Sequence, residues 1–301
     1  MFKRVVGLAL LALLPLLGLA FACLWLGPWR DVGPPPQAGA WPVPPPRVVL
    51  VLGAGGPRAF AHVGVLKALE ELRIVPDGVV GASAGALIGA LWLGGRNATE
   101  IELMADNLPV WRWLDLAHDG SLRVRGDRLA LWLQDETAHA RIESLARPFA
   151  AVATDTADGQ SVAFTHGSLG WAVQASSATR SLMAPVRVGI GLQEHHFVDA
   201  DQSSPVPVRA AKQLGAQRVI AVDVSARLEA TPAAVPESWR VGDRLTRERT
   251  DAQTPLADVL IHVDLGYYAG ASKEYRRFAI DTGYAATMAQ AERLRALLGG
   301  S

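Results

Sequence analysis

A serine flanked by small residues stands between two apolar segments. Residues Gly81-Ala82-Ser83-Ala84-Gly85 match the pattern G-x-S-x-G, follow the apolar pair Val79-Val80 and open the uncharged stretch 84–93. A serine between a strand and a helix lies on a sharp turn that exposes its hydroxyl, and the flanking glycines let that turn close. Ser83 is therefore a candidate nucleophile, with Gly81 and Gly85 forming its elbow.

A glycine-rich turn comes earlier in the chain. Gly53-Ala54-Gly55-Gly56 follows the β-branched run 47–52 and precedes helical spacing over 58–72. Such a turn presents backbone N–H groups to an anion. Its sixth position is Arg58 and not glycine, which disfavours a dinucleotide site. We interpret the turn as an oxyanion hole for Ser83, since both turns follow parallel strands. Arg58 either receives a substrate phosphate or carboxylate, or ties the turn to a backbone carbonyl.

The order of apolar segments indicates the fold class. Strand, turn and helix follow each other twice before residue 94, and further strands are predicted at 149–153, 161–164 and 218–223. This order predicts an α/β fold with a three-layer α/β/α arrangement and a mainly parallel central sheet. Residues 226–258 have mixed polarity and predict an exposed excursion, and 283–298 predict the last helix.

The N-terminus has the pattern of a targeting segment. Lys3 and Arg4 precede residues 5–27, which carry no charge, so 1–27 are predicted to be a signal or anchor segment. A run of this length can span a bilayer, with residues 28–301 translocated. Residues 28–46 are rich in proline and glycine and predict a linker to a domain over 47–301.

Cys23 offers a second interpretation of the same segment. Ala20-Phe21-Ala22-Cys23 resembles a bacterial lipobox, in which the cysteine becomes lipidated, and ordinary cleavage of the signal is a third possibility. Each of the three places the domain outside the cytoplasm. The expected location is the bacterial cell envelope, with the domain in the periplasm, held by a membrane anchor or as a lipoprotein.

Charge and composition exclude other classes of protein. Lys+Arg and Asp+Glu both number 29, so the formal net charge is zero and nothing favours a nucleic-acid partner. The single cysteine rules out an intramolecular disulfide. Half of the residues are hydrophobic, which is enough for a sizeable core.

Residues 49–93 resemble the opening of the patatin-like phospholipase family. That family has a glycine-rich G-G-x-R-G turn, a helix containing His-x-Gly-Val-Leu and then G-x-S-x-G, and this chain has matching segments in that order. Segments 152–155 and 175–177 resemble internal segments of the family. Phe197-Val198-Asp199-Ala200, with the following 205–208, resembles the segment that bears the family's catalytic D-G-[GA].

The resemblance implies a patatin-like acyl hydrolase domain over 47–301 with a Ser–Asp dyad. Ser83 would attack a lipid ester and Asp199 would accept its proton. The backbone N–H groups of Gly55 and Gly56, with Ala54 or Arg58, would hold the oxyanion. The implied partners are a lipid or phospholipid substrate and the membrane, reached through residues 5–27 or a lipidated Cys23. No cofactor is implied.

The chain departs from the family pattern at four residues. Ala54 and Ala59 stand where glycine is usual, and Ala200-Asp201 replaces the residues after the aspartate. A methyl group at such a position is unfavourable if the backbone is left-handed. Asp201 adds a like charge that raises the pKa of Asp199 if the two are close. A catalytically inactive, membrane-tethered lipid-binding scaffold therefore remains an alternative.

Histidines leave a further alternative within the hydrolases. A Ser-His-Asp α/β-hydrolase or thioesterase could use Ser83, Asp223 and His262, although His262 follows an apolar run typical of a core edge. His195-His196 are adjacent and lack a spaced carboxylate or thiolate partner, so no metal is assigned.

Overall fold

The computed structural model describes residues 33–107, 115–117, 123–190 and 193–299. The predicted signal or anchor segment 1–27, including Cys23, lies outside these residues and remains a prediction. Among the residues that are described, no helix has both the length and the apolar character needed to cross a membrane.

The described residues form a central sheet of nine strands. These are β1 (Gln37–Ala38), β2 (Val48–Leu52), β3 (Gly78–Ala82), β4 (Phe149–Asp155), β5 (Ser161–His166), β6 (Val186–Ile190), β7 (Gln193–Val198), β8 (Arg218–Asp223) and β9 (Val259–His262). The sheet has the order β1-β5-β4-β3-β2-β8-β9, and β6 and β7 add a hairpin at β4. The five strands from β4 to β9 in this order run parallel to one another. The pairings that involve β1, β5, β6 and β7 are antiparallel.

Helices cover both faces of the sheet. In chain order they are α1 (Phe60–Glu71), α2 (Ala84–Leu93), α3 (Ala98–Asp106), α4 (Asp127–Glu136), α5 (Leu169–Ser176), α6 (Val208–Gln213), α7 (Glu237–Asp251), α8 (Lys273–Met288) and α9 (Ala291–Gly299).

Strand β2 shows why three layers form. All five of its residues are buried. Val48, Leu50 and Leu52 point into the larger core, which contains residues of α1, α2, α5 and α8. Val49 and Val51 point into a smaller core that includes residues of α6. Successive side chains of a strand face opposite ways, so a strand that is apolar throughout requires cover on both faces. The predicted three-layer fold with a mainly parallel sheet is confirmed.

The second half of the predicted linker packs on the domain. Strand β1 pairs antiparallel with β5. Trp41 is buried, and its Nε1–H donates to the carbonyl of Phe149 at 3.4 Å. The described part of 28–46 is therefore not a free spacer, because burial of a large aromatic side chain favours a docked segment.

The C-terminal region differs from the prediction in two ways. The single helix predicted over 283–298 is wrong, since α8 begins at Lys273 and a break near Ala289 separates it from α9. Gly283 lies inside α8. Glycine is required there because a Cβ would overlap the carbonyl oxygen of Ala61 on α1. The predicted excursion 226–258 contains α7, a largely exposed helix.

Candidate active site

Ser83 lies on the turn between β3 and α2. Its backbone has φ 53° and ψ −127°, which is unusual for a residue other than glycine. The Ser83 N–H donates to Ser176 Oγ at 2.9 Å, and the Ser176 hydroxyl donates to the carbonyl of Val152 on β4. These contacts hold the strained turn against the neighbouring strand.

The two glycines of the elbow are required by close packing. A Cβ on Gly81 would collide with the backbone of Ala86 in the first turn of α2. A Cβ on Gly85 would lie 2.5 Å from the carbonyl oxygen of Gly53, in the glycine-rich turn. The small residues that the sequence pattern singled out therefore allow the elbow and the glycine-rich turn to touch.

Asp199 follows β7 and faces Ser83. The Ser83 hydroxyl donates to Asp199 Oδ2 at 2.8 Å, and the Thr179 hydroxyl donates to the same oxygen at 2.8 Å. Asp199 Oδ1 accepts the N–H of Asp201 at 3.0 Å. The side chain is buried, with only 2% of the residue exposed. The serine and the aspartate named by the sequence are thus in direct hydrogen-bond contact, 116 residues apart in the chain.

The surroundings of Asp199 make it a stronger base than an ordinary carboxylate. Burial, followed by the charge of Asp201, raises the pKa of Asp199 to about 7, although the hydrogen bonds from Asp201, Ser83 and Thr179 oppose that rise. A carboxylate that is poised near neutrality accepts a proton more readily than one in water.

The glycine-rich turn runs beside Ser83. The Ala54 N–H donates to the carbonyl of Pro205 at 2.7 Å, and the Arg58 N–H donates to the carbonyl of Gly55 at 3.0 Å. Gly55 and Gly56 line the same cavity as Ser83, and their N–H groups have no protein acceptor within the part of the chain that the structure describes. The expectation that Ala54 or Arg58 supplies a free backbone donor is corrected, because both groups are committed to carbonyl oxygens.

The alanines that replace family glycines fit the backbone. Ala54, Ala59 and Ala200 are absent from the residues with positive φ. Ala59 has φ −64°, and Ala200 opens a 3₁₀ turn, 200–202, that begins directly after Asp199. None of these positions requires a left-handed conformation, so a methyl group there causes no backbone strain.

Two side chains fix the glycine-rich turn from outside. Arg58 Nη2 donates to the carbonyl of Tyr267, so the arginine ties the turn to the segment after β9. His62 Nε2 lies 2.8 Å from the carbonyl oxygen of Gly53 and donates to it. Burial lowers the pKa of His62 to about 4, so the ring is neutral near pH 7 and acts as a fixed hydrogen-bond donor.

His262 belongs to a separate cluster. Its Nδ1 lies 3.0 Å from Asp223 Oδ2, and Asp223 also accepts hydrogen bonds from Arg247 and Ser225. Burial would raise the pKa of Asp223, but the hydrogen bonds from His262 and Ser225 and the charge of Arg247 outweigh burial and lower it. The structure therefore brings Asp223 and His262 together, while the hydroxyl of Ser83 donates to Asp199 instead.

No group of three or more His, Cys, Asp or Glu side chains in the described ranges is arranged to hold a metal ion. His195 Nδ1 instead pairs with Asp155 at 2.6 Å, and His196 Nε2 lies 3.0 Å from Glu194.

A cavity of about 460 Å³ contains the dyad. One wall consists of the glycine-rich turn and the residues around Asp199. The remaining lining residues come from the chain after β8, and they include Ser225, Trp239, Asp243, Thr246, Arg247, Tyr267 and Tyr268. No sequence pattern indicated this part of the lining, because most of its residues lie on α7 or after β9 and meet only in the folded chain.

A hydroxyl on a strained strand-to-helix turn, bonded to a buried carboxylate and next to unpaired backbone N–H groups, is typical of serine hydrolases with an α/β fold. A family model described as Patatin-like phospholipase matches residues 50–212, more than half of the chain. The chain therefore belongs to the patatin-like phospholipase family.

Relatives with similar sequences carry related descriptions. An uncharacterized NTE family protein of Mycobacterium tuberculosis is 35% identical over 191 residues, which are 62% of this chain and 51% of that protein. The neuropathy target esterase sws of Drosophila melanogaster is 33% identical over 187 residues, 59% of this chain and 13% of that protein. The chain thus spans about half the length of the mycobacterial relative and a small part of the insect one.

The fold has a counterpart among solved structures. The crystal structure of VipD from Legionella pneumophila superimposes with a TM-score of 0.57 over 90% of this chain and 72% of that chain. The sequence identity is 14%, so the likeness concerns the fold alone.

Proposed function

We propose that this protein is a serine lipid acyl hydrolase that cleaves carboxylic esters of lipids or phospholipids through a Ser83–Asp199 dyad. The observation that carries the proposal is the 2.8 Å hydrogen bond from the Ser83 hydroxyl to Asp199 Oδ2, inside a cavity that the glycine-rich turn also lines. Membership in the patatin-like phospholipase family supports the same class of substrate.

The first half of the reaction forms an acyl-enzyme. Ser83 Oγ attacks the ester carbonyl as Asp199 Oδ2 takes the hydroxyl proton. The free N–H groups of Gly55 and Gly56 stabilise the negative charge that develops on the carbonyl oxygen. When the tetrahedral intermediate collapses, the bond to the alcohol breaks and Asp199 returns its proton to the departing alkoxide.

The second half releases the fatty acid. Water attacks the acyl-enzyme while Asp199 removes its proton, and the same proton then goes to Ser83 Oγ as the acyl bond breaks. The carboxylate of Asp199 acts alternately as base and acid, which requires a pKa near the working pH.

Contact with a membrane is part of the proposal. We expect residues 5–27, or a lipidated Cys23, to hold the protein at the bacterial cell envelope with the catalytic domain in the periplasm. Such tethering would keep the dyad near a lipid substrate.

The proposal is tested by the release of fatty acid from lipid esters. The full chain, purified in detergent, is incubated with mixed micelles of a diacylphospholipid, a lysophospholipid or a triacylglycerol, and free fatty acid is quantified by mass spectrometry. We expect release from at least one of these esters and none with Ser83→Ala. Folded protein that binds these micelles but releases no more fatty acid than Ser83→Ala would indicate the inactive lipid-binding scaffold.

The pH dependence of hydrolysis should report the ionisation of Asp199. The base must be ionised to accept a proton, and burial together with Asp201 raises its pKa to about 7. We therefore expect kcat/KM to fall about tenfold per pH unit below about pH 7 and to level off above it. A rate profile with an acid limb near pH 4, typical of an unshifted aspartate, would contradict the assignment of this base.

Replacing His262 separates the dyad from the alternative triad. His262 is bonded to Asp223 and does not line the cavity that contains Ser83. We expect His262→Gln to retain kcat/KM within about fivefold of the unaltered protein, measured with a chromogenic ester. A loss of about 10³-fold or more in folded protein would instead favour a Ser-His-Asp mechanism.

A further inference from the structure

Asp199 accepts hydrogen bonds from two hydroxyl groups on the same carboxylate oxygen. Ser83 Oγ and Thr179 Oγ1 each donate to Oδ2 at 2.8 Å. Thr179 follows α5, 20 residues before Asp199 in the chain, and lines the cavity with it. The proposed reaction uses the hydroxyl of Ser83 only, which leaves the role of the second hydroxyl unexplained.

Thr179 lacks the features of a nucleophile. Among the described residues, Ser83 has the positive φ of an elbow, whereas Thr179 does not. The Thr179 carbonyl accepts the N–H groups of Leu182 and Met183, so the residue belongs to a turn that is anchored by its own backbone. Its side chain is therefore held at a fixed place beside the carboxylate.

We propose that Thr179 is a positioning residue for Asp199: its hydroxyl orients Oδ2 toward Ser83 and stabilises the ionised carboxylate that accepts the Ser83 proton. This inference rests on the function proposed above. The Thr179 proton stays on Thr179 throughout, and the transferred proton moves from Ser83 Oγ to Oδ2 and then to the leaving alcohol, so no further reactant is needed.

Asp201 acts on the same carboxylate in the opposite sense. A hydrogen bond to the charged form of an acid favours ionisation, and a like charge nearby disfavours it. The Asp201 carboxylate, itself hydrogen-bonded by the Gln202 amide, raises the pKa of Asp199, and the Thr179 hydroxyl lowers it. Among the described residues, Arg180 and Arg249 face Asp201. The charged side chains that line the cavity with Asp199 and Asp201 are Arg58, Asp243 and Arg247.

Burial raises the pKa of Asp199 most, and Thr179 and Asp201 then adjust it in opposite directions. Without the charge of Asp201, Asp199 would be a weaker base and a larger fraction of it would be ionised near neutral pH. Without the Thr179 hydroxyl, it would be a stronger base and a smaller fraction would be ionised. The chain has both groups, which balances base strength against the fraction of active protein.

The test measures kcat/KM for hydrolysis of p-nitrophenyl butyrate by the full chain between about pH 5 and pH 9. It compares, for each variant and the unaltered protein, the pH at which kcat/KM falls on the acid side, called the acid limb. We expect Thr179→Val to move the limb upward by about one pH unit, because a hydrogen bond to a charged group is lost. Thr179→Ser keeps the hydroxyl and should restore the limb. Asp201→Asn should move it downward, because the like charge is removed while the N–H donor to Asp199 remains.

Ser177→Ala is the matched control. Its hydroxyl is buried two residues from Thr179 and has no hydrogen-bond partner in the described structure. Removing it should leave the limb within about 0.2 pH units of the unaltered protein, since no contact with Asp199 is lost. If Thr179→Val fails to fold, Thr179→Ala removes the same hydroxyl without a second methyl group.

A second measurement does not depend on turnover. Titration of carbon-13-labelled aspartate carboxyl groups by NMR, with the Asp199 signal identified by its absence in Asp199→Asn, reads the ionisation directly. We expect the Asp199 midpoint to rise in Thr179→Val and to fall in Asp201→Asn. An unchanged midpoint in Thr179→Val, or an equal shift in Ser177→Ala, would overturn the role of Thr179. Absence of ester hydrolysis by the unaltered chain would refute the proposed function instead, while this titration would still decide the role of Thr179.

Discussion

Replacing Asp199 by asparagine is expected to lower kcat/KM for ester hydrolysis by about 10³-fold or more, equivalent to about 4 kcal/mol of transition-state stabilisation. Asparagine has nearly the size of aspartate but cannot take the proton that leaves Ser83. In the structure, no other carboxylate or imidazole shares a hydrogen bond with the Ser83 hydroxyl among the described residues. The measurement is steady-state hydrolysis of a lipid ester, with circular dichroism to show that the fold is kept.

Controls separate chemistry from damage to the fold. Ser83→Ala should be as inactive as Asp199→Asn, and the double variant should be no worse, because the two residues act as one unit. Asp158→Asn is the matched surface change, since Asp158 is exposed and its carboxylate accepts the N–H of Gln160. It should retain full activity. An Asp199→Asn variant within tenfold of the unaltered protein would mean that another group removes the proton.

Replacing Gly64 by alanine is expected to lower the free energy of unfolding by about 3 kcal/mol, which corresponds to a fall in melting temperature of roughly 5–10 °C. Gly64 lies on α1 where this helix crosses α8. A Cβ at Gly64 would overlap the carbonyl oxygen of Ile280 and would lie 2.6 Å from the backbone nitrogen of Tyr284. Backbone atoms cannot rotate away as a side chain does, so the two helices must separate. Thermal unfolding followed by circular dichroism measures the change.

Gly242→Ala provides the control for helix propensity. Gly242 also lies inside a helix, α7, but a Cβ there meets nothing within 4 Å. Alanine is favoured over glycine in a helix by about 0.5–1 kcal/mol, so this variant should be slightly stabilised. The same substitution therefore has opposite effects at the two glycines. Equal stability of Gly64→Ala and the unaltered protein would show that α1 and α8 approach each other less closely.

The predictable parts of the fold are the strands and helices that coincide with short apolar runs in the sequence. Helix 84–93 and strand 218–223 have the predicted ends, and the strand predicted at 47–52 differs by one residue. The interiors of these segments are apolar and buried, so their conformation is determined locally. The break between α8 and α9 was missed because residues 284–298 contain no glycine or proline that would mark a helix end.

The candidate site was predictable only where a local motif marks its residues. Ser83, Gly81 and Gly85 follow from one pentapeptide, and Asp199 came from the resemblance of its segment to a family motif. The loss of Ala54 and Arg58 as oxyanion donors depends on carbonyl groups that fold next to them, Pro205 in the case of Ala54.

The sequence analysis missed Thr179 and the cavity-lining residues that follow β8. Thr179 donates to Asp199 from 20 residues away in the chain. Trp239 and Tyr267 reach the cavity from segments with no recognisable motif. A threonine two residues after the segment 175–177 was the only signal in the sequence, and such a residue has many possible roles. Contacts between distant segments determine these parts of the site, and local pattern does not encode them.

The most direct test of the central claim is covalent labelling of the full chain with a fluorophosphonate, followed by mass spectrometry of the modified peptide. The reagent transfers its phosphonyl group to an activated serine and releases fluoride, so it reports the nucleophile without knowledge of the lipid. We predict stoichiometric label on Ser83 and labelling at least about 10²-fold slower in Asp199→Asn. Folded protein with no label on Ser83, or with equal labelling in Asp199→Asn, would contradict the Ser83–Asp199 dyad.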